Sequence, residues 1–295
     1  MIRNWKKTAA VIGAVLVTAF SFMRYVAKKQ HPKYVYSNQP EEQNKMKGQK
    51  VVLVEDENDP LNADGIHGHL ESVGENKYFP TVYDKYIKRG FDIILSFGGL
   101  IILSPVFAVI SLAIKAEDPG PIFFTQKRVG QNKEYFLLHK FRSMKSCTPH
   151  DVPTHMLDNP EQYITKIGRF IRKYSLDELP QVWDIFVGNM SVIGPRPGLW
   201  NQDYLTAERD KYGANDVKPG LTGLAQISGR DELEIPDKAK LDGVYANALR
   251  TSSVSGVFMD IKILIGSVFA VLKSKGVVEG GTGTIAKEIE KAKYL

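Results

Sequence analysis

Two long apolar runs interrupt an otherwise polar chain. The first, residues 8–23 (TAAVIGAVLVTAFSFM), carries no charge and is flanked by Lys6, Lys7 and Arg24. It is shorter than the roughly 20 residues that span a bilayer, yet Trp5 and Tyr25 stand where interfacial aromatics occur. No A-x-A-like cleavage site follows it, which favours a membrane anchor over a signal peptide or a buried helix. The second run, Phe91–Ile114, has 24 residues. As one straight helix it would reach about 36 Å, more than a hydrocarbon core of about 30 Å. Ser104-Pro105 falls just past its middle, and proline removes a backbone donor and crowds the preceding turn, so a kink is expected there. Lys85, Lys88 and Arg89 precede the run and Lys115 closes it. Basic residues at both ends permit a full span, and equally a helix that dips in, bends and returns to the same face.

Elsewhere the pattern predicts shorter elements. Residues 27–80 lack periodicity and read as a tether or a small irregular region, with Val51–Val54 as a short strand. After the rigid turn Pro119-Gly120-Pro121, the runs Ile122–Gly130 and Tyr135–Met144 flank a polar turn and predict a β-hairpin. Its strands carry Lys127, Arg128, Lys140 and Arg142, which suit either a solvated basic face or contact with phosphate. Residues 161–173 predict a helix with Tyr163, Ile164, Ile167, Phe170 and Ile171 as its apolar stripe and Lys166, Arg169, Arg172 and Lys173 as its basic face. Phe258–Lys275 is apolar but interrupted, suited to lying on lipid or packing on the core. The tail after Gly283 reads as a short solvated helix.

Charge sharpens this picture. The 295 residues carry a net charge of +6, with seven Lys/Arg and no acid in residues 1–33 and seven acids without Lys/Arg in residues 55–76. A basic excess suits an anionic partner such as an acidic membrane surface, a phosphorylated substrate or nucleic acid. No recognition helix or zinc-finger pattern supports nucleic acid, which is excluded as a partner. A single cysteine, Cys147, rules out an internal disulfide. His67 and His69 read as a solvated turn, and nothing fixes a mutual geometry for His150, Asp151 and His155, so neither group predicts a metal site.

The strongest candidate chemistry is the adjacent pair Asp177 and Glu178 in KYSLDELPQ. Ser175 and Glu178 fit a capping box. Alternatively Asp177 caps the helix, and Pro180 occupies its first turn; either way a helix is expected to run to about Val187. The pair can thus be a cap and nothing more. The same setting also keeps a carboxylate ionised, with Arg172 nearby, in the form that attacks phosphorus. Two following motifs favour chemistry. GNMSVIGPRPG stiffens the backbone around Arg196 with Pro195 and Pro197, and VKPGLTGLAQISGRDE brings Gly220, Gly223, Gly229, Lys218 and Arg230 into turns suited to a diphosphate or nucleotide. Neither GxxxxGK[ST] nor a GxGxxG after a strand occurs, so ordinary NTPase and dinucleotide sites are disfavoured.

Taken in order, the Ser-Pro-broken apolar run, PGPIFFTQKRVG, KFRSM, SLDELPQ, GNMSVIGPRP and VKPGLTGLAQISGRDE resemble the bacterial sugar transferases, the monotopic phosphoglycosyl transferases, over roughly Tyr83 to Gly280. The resemblance implies an α/β enzyme, mainly helical with a short β-hairpin. It implies membrane association through a re-entrant helix broken at Ser104-Pro105 and through interfacial helices. It further implies transfer of a sugar 1-phosphate from a UDP-sugar to polyprenyl (undecaprenyl) phosphate, with release of UMP. Asp177 would be the nucleophile and Glu178 the second acid, with Mg²⁺ held by Asp177 and Glu178. Arg142, Arg172, Arg196, Gly220 and Arg230 would line the phosphate or nucleotide-sugar site. Leu224 stands where family members often carry tryptophan after the PGLTG turn, which removes a potential stacking or interfacial ring.

The expected division is an anchor over residues 1–30, a polar linker over 31–82, a catalytic domain over 83–280 containing the re-entrant run 91–114, and a tail over 281–295. The expected location is the bacterial inner membrane with the catalytic domain facing the cytoplasm, where nucleotide sugars are made. Inner-membrane lipids and downstream glycosyltransferases are the remaining expected partners. The rival reading is a non-catalytic membrane scaffold that binds nucleotide sugar or enzymes of a glycan pathway.

Overall fold

The structure, a computed structural model, describes residues 45–58, 62–76, 78–148, 160–229 and 233–273. The run 8–23, His150, Asp151, His155, Arg230 and the tail 281–295 lie outside the described residues. The fold is mixed α/β, with three two-stranded sheets set among helices.

The second apolar run forms two helices, α1 (Lys88–Ile102) and α2 (Ser104–Glu117), which meet at Leu103 with a bend of 58°. Pro105 has no N–H for the carbonyl of Ile101, four residues back. The Ser104 hydroxyl takes over and donates to that carbonyl at 2.8 Å. Serine and proline therefore make the break together: one removes a backbone bond and the other satisfies the acceptor left behind. Much of the apolar surface of both helices is exposed, including Phe91, Ile94, Ile102, Val109 and Leu112.

Buried acids tie these helices to the rest. Asp92 of α1 accepts from Ser191 Oγ at 3.0 Å and from the Val192 N–H at 2.9 Å. Asp260 accepts from Lys88 Nζ at 2.8 Å, Tyr83 Oη at 2.7 Å and Tyr245 Oη at 2.9 Å. Asp260 belongs to the last helix, Ser253–Lys273, whose segment Ser253–Ala270 is long and apolar enough to cross a membrane and is mostly unburied. The interruption anticipated in this stretch is absent because Asp260 turns inward to a lysine and two phenols.

The predicted hairpin is present as β3 (Phe123–Val129) and β4 (Tyr135–Phe141), antiparallel, with Phe123 opposite Phe141 and Val129 opposite Tyr135. Phe141 packs with Ile110, Ile114 and Ile171, joining α2 to α3 (Lys166–Lys173). That helix is shorter than expected, because Thr165 caps it by accepting from the Gly168 N–H at 2.8 Å. Glu117 at the end of α2 also accepts from the N–H groups of Lys166 and Ile167, at 2.6 and 2.8 Å. Phe170, assigned to the apolar stripe, is instead exposed and lies against Tyr174 with the two rings tilted by 58°.

Residues 31–82 are not simply a linker. Within them β1 (Gln49–Glu55) and β2 (Gly68–Glu75) form an antiparallel hairpin. It docks through Asp210, on the helix α5 (Asp203–Lys211), which accepts from the Val51 N–H at 2.7 Å. Asp210 also accepts from Asn215 Nδ2 and from Lys133 Nζ, both at 2.7 Å. Lys133 is fully buried and holds a left-handed φ of 62°, a strained position for a side-chain-bearing residue that this ion pair holds in place. Asp210 thus gathers the added hairpin, the β3–β4 turn and the loop after α5. Asp210→Ala leaves the Lys133 charge buried and unpaired, a loss of about 3–5 kcal/mol. Thermal unfolding at a lowered temperature, with early proteolysis inside residues 45–76, is the expected result; a hairpin protected as in the parent would contradict this docking.

Candidate active site

The acid pair sits on a turn rather than on a capped helix. Ser175 adopts a left-handed φ of 53° and makes no side-chain cap, and a 3₁₀ turn follows over Leu176–Glu178. The helix α4 (Gln181–Val187) begins later, with Pro180 at its N-cap. Both anticipated caps are thereby corrected. Pro180, which has no N–H to offer, ends the turn before the helix starts, so neither Ser175 nor Asp177 occupies the cap position. Arg172, in the last turn of α3, accepts from the Ser175 N–H through its carbonyl at 3.0 Å, joining the basic helix directly to the acid turn.

Asp177 is buried at 4% exposure, while Glu178 faces two cations. Glu178 Oε1 accepts from Arg196 Nη2 at 2.6 Å and from Lys140 Nζ at 2.9 Å. Burial opposes ionisation of Glu178, but Arg196 and Lys140 outweigh it and hold the carboxyl well below the usual carboxylate range. Glu178 is therefore a committed anion, and such a carboxylate is a poor proton acceptor near neutrality.

Arg196 is fixed at both ends. Its carbonyl accepts from Arg209 Nη2 at 2.8 Å, and Arg209 is itself held by Asp242 Oδ2 at 2.7 and 2.9 Å. Arg128 Nη1 donates to the Pro197 carbonyl at 3.1 Å and the Val129 N–H to the Gly198 carbonyl at 3.0 Å. On the other side β5 (Ser191–Ile193) and β6 (Gly220–Thr222) pair in parallel, with the Gly220 N–H donating to the Pro195 carbonyl at 2.8 Å. A Cβ on Gly220 would lie 2.0 Å from the Gly194 nitrogen, so only glycine lets these backbones meet. The place of Gly220 is thus explained by packing that positions Arg196.

The hairpin cations are spent largely on protein. Arg142, expected at the phosphate site, is buried and donates to the Asp118 carboxylate at 2.8 Å and to its carbonyl. That commitment holds the end of α2 to the residue that follows β4. Lys127 lies between the rings of Tyr135 and Trp200, 4.6 and 5.1 Å from their centroids. His139 Nδ1 lies 2.8 Å from Asp184 Oδ1, and its backbone N–H donates to Oδ2 at 2.9 Å, which pins β4 to α4. Lys218 is placed against Arg89 and Gly188, at the far end of α4 from the acid pair. Leu224 is buried with Tyr83, Ile193, Val217 and Tyr245, so its side chain serves the core.

Among the described residues no three carboxylate, imidazole or thiol groups converge as a metal cage. The acid pair offers two carboxylates, one of whose oxygens already serves Lys140 and Arg196. Such a set fits Mg²⁺, which keeps several waters and takes one or two carboxylates together with substrate phosphates. Arg209 and Asp242 escaped sequence reading because they lie 33 positions apart and meet only in the folded chain.

The depressed Glu178 pKa has a fixed sign. Its stabilising contribution is complete above the ordinary glutamate value of about 4.3 and is lost as pH falls from there through the lower folded-state value. Glu178→Gln should therefore destabilise equally at every pH from about 5 to 8, and its deficit relative to the parent should shrink only below about pH 4. Thermal unfolding across pH reads this; a deficit that fades already between pH 7 and 6 would contradict it.

Comparison with known proteins places the sequence among its relatives. The family described as bacterial sugar transferase matches residues 83–274. UDP-glucose:undecaprenyl-phosphate glucose-1-phosphate transferase of Escherichia coli (strain K12) is 37% identical over 218 residues, covering 69% of this chain and 45% of the relative. The exopolysaccharide production protein PSS of Rhizobium leguminosarum bv. phaseoli is 34% identical over 205 residues, covering 65% of this chain and 99% of the relative. The galactosyl transferase CpsE of Streptococcus agalactiae serotype III (strain NEM316) is 36% identical over 207 residues, covering 64% of this chain and 43% of the relative. The chain spans less than half the length of the Escherichia and Streptococcus relatives and nearly all of the Rhizobium one. With residues 83–274 matched throughout, the chain belongs to the bacterial sugar transferase family.

Proposed function

We propose that this protein transfers a sugar 1-phosphate from a UDP-sugar to polyprenyl phosphate, the opening step of lipid-linked exopolysaccharide or capsule assembly. The observation that carries the reading is the buried Asp177 beside a Glu178 gripped by Lys140 and Arg196. A protein that merely bound nucleotide sugar would have no need to bury one acid and clamp the next with two cations.

Asp177 is the nucleophile. One carboxylate oxygen attacks the sugar-proximal phosphorus of the donor, the new O–P bond forms, and the bond to the bridging oxygen breaks so that UMP leaves with that electron pair. A phosphate oxygen of the polyprenyl acceptor then attacks the same phosphorus. The aspartyl O–P bond breaks, the carboxylate returns, and the product is a polyprenyl diphosphosugar. Glu178 keeps Arg196 and Lys140 at the site, where these cations meet the charge of incoming phosphates. Arg172 and Arg230 belong to the same phosphate-binding reading. Asp177 and Glu178 would hold Mg²⁺, which when bound neutralises diphosphate charge.

The site works at a membrane. The bent pair α1–α2 is re-entrant, entering and leaving by one face, and the exposed apolar sides of α1, α2 and the last helix sit in lipid. The 58° bend and the exposure of Phe91, Ile102, Val109, Phe258 and Phe269 support this. The face is the cytoplasmic side of the bacterial inner membrane, because nucleotide sugars are cytoplasmic. Residues 83–280 form the catalytic unit and residues 1–30 an anchor.

The test is UMP release from a panel of UDP-sugars with undecaprenyl phosphate in nanodiscs. Asp177→Asn should lower the rate by ~10³-fold or more. Parent-like turnover in that variant would remove Asp177 from the chemistry, and no turnover by the parent on any donor, with nucleotide binding retained, would favour a scaffold.

A further inference from the structure

The contact between α1 and α4 ends in two cations, Arg89 and Lys218, that share no hydrogen-bonded carboxylate among the described residues. Arg89 closes the carboxyl end of α4, donating from Nη1 to the Ile185 carbonyl at 2.6 Å and from Nη2 to the Phe186 carbonyl at 2.7 Å. Gly188 follows with a left-handed φ of 99°. A Cβ on Gly188 would lie 3.2 Å from Arg89 Nη2 and 3.8 Å from the Lys218 ammonium. Two half-buried positive groups therefore flank the same glycine.

The helix end accounts for Arg89 but not for Lys218. The Lys218 ammonium makes no hydrogen bond to any of the described residues, although the group carries three donors. The neighbouring acids are engaged elsewhere. Asp92 serves Ser191 and Val192, Asp260 serves Lys88, and Asp84 accepts from the Tyr78 hydroxyl. Burial, and then the proximity of Arg89, pull the Lys218 pKa down, while Asp92 and Asp84 push the other way. Like charges held together at a half-buried position are stabilised by an anion placed between them.

The location narrows the anion. The two cations lie beside the start of α1, where Lys85, Lys88 and Arg89 lead into the apolar run, and the neighbouring Ile87 and Val187 are exposed. In a membrane this is the headgroup level. It is also distinct from the acid pair, since the seven residues of α4 put about 10 Å between its two ends.

We propose that Arg89 and Lys218 form a binding site for a lipid-borne phosphate, supplied by a glycerophospholipid headgroup or by the polyprenyl acceptor. The inference rests on the membrane reading above. A phosphate there bridges both cations by charge-assisted hydrogen bonds and fixes the depth and tilt of α1 and α4 against the bilayer.

The test is native mass spectrometry of the full chain in detergent, offered phosphatidylglycerol, undecaprenyl phosphate or inorganic phosphate separately. The parent should retain one phosphate lipid. Lys218→Gln, which breaks no hydrogen bond of the fold, should weaken retention about tenfold, and Lys218→Arg should restore it. Dependence on Lys218 for phosphatidylglycerol identifies a structural lipid, and dependence for undecaprenyl phosphate alone identifies the acceptor. Equal retention by parent and Lys218→Gln overturns the site, as does Lys218-dependent retention of inorganic phosphate alone. Flotation with phosphatidylcholine vesicles separates the two levels. Parent and variant should float alike through their apolar faces, so a parent that stays in solution overturns the membrane reading and this inference with it. Floating with equal lipid retention overturns only the phosphate site.

Discussion

The clamp on Arg196 is the constraint on which the site depends. Two prolines limit its backbone, the Arg209–Asp242 pair grips its carbonyl, and Glu178 receives its guanidinium. Each partner comes from a different part of the chain, so the position of one guanidinium integrates the hairpin, the acid turn, α5 and the helix Ile235–Thr251 that carries Asp242. The close passage of Gly194 and Gly220 completes this frame from the far side. A cation so restrained loses little freedom when it meets a phosphate, which is the condition for electrostatic stabilisation without reorganisation.

The same device recurs where helices with exposed apolar faces join the body. Asp92 anchors α1 to β5, and Asp260 anchors the last helix to Lys88, Tyr83 and Tyr245. These acids are buried with their partners, so the cost of removing them from water is offset only by complete hydrogen bonding, and loss of one partner is severe. Helices whose outer faces are apolar have little hydrophobic reason to prefer the protein over lipid. Directional polar contacts then fix how they sit, and Ser104 performs the same service at the bend.

The local elements are legible in the sequence because their causes are local. Aromatic runs around a polar turn make β3 and β4, and Ser104-Pro105 marks the break between α1 and α2. The order of motifs also identifies the family. What escapes is set by partners distant in sequence. Capping logic assigned Ser175 or Asp177 to a helix start, but Pro180 displaces that start and leaves the acids on a 3₁₀ turn. Nothing local announces that Arg142 pairs with Asp118, 24 positions away. Of the hairpin β1/β2 only the strand Val51–Val54 declares itself; its partner β2 is polar, and the docking through Asp210 uses a backbone N–H that leaves no sequence signal. Asp242 and Arg209 carry no local signature at all.

In the proposed reaction Asp177 carries the phosphosugar between donor and acceptor. That role is tested most directly by incubating the purified protein with UDP-glucose or another UDP-sugar that supports turnover, without polyprenyl phosphate, followed by rapid acid quench and peptide mass spectrometry. One phosphosugar added to the peptide containing Asp177, and discharged when undecaprenyl phosphate is supplied, is the expected result. Turnover with acceptor present, but no added mass at any stage or an adduct on a different residue, would contradict it.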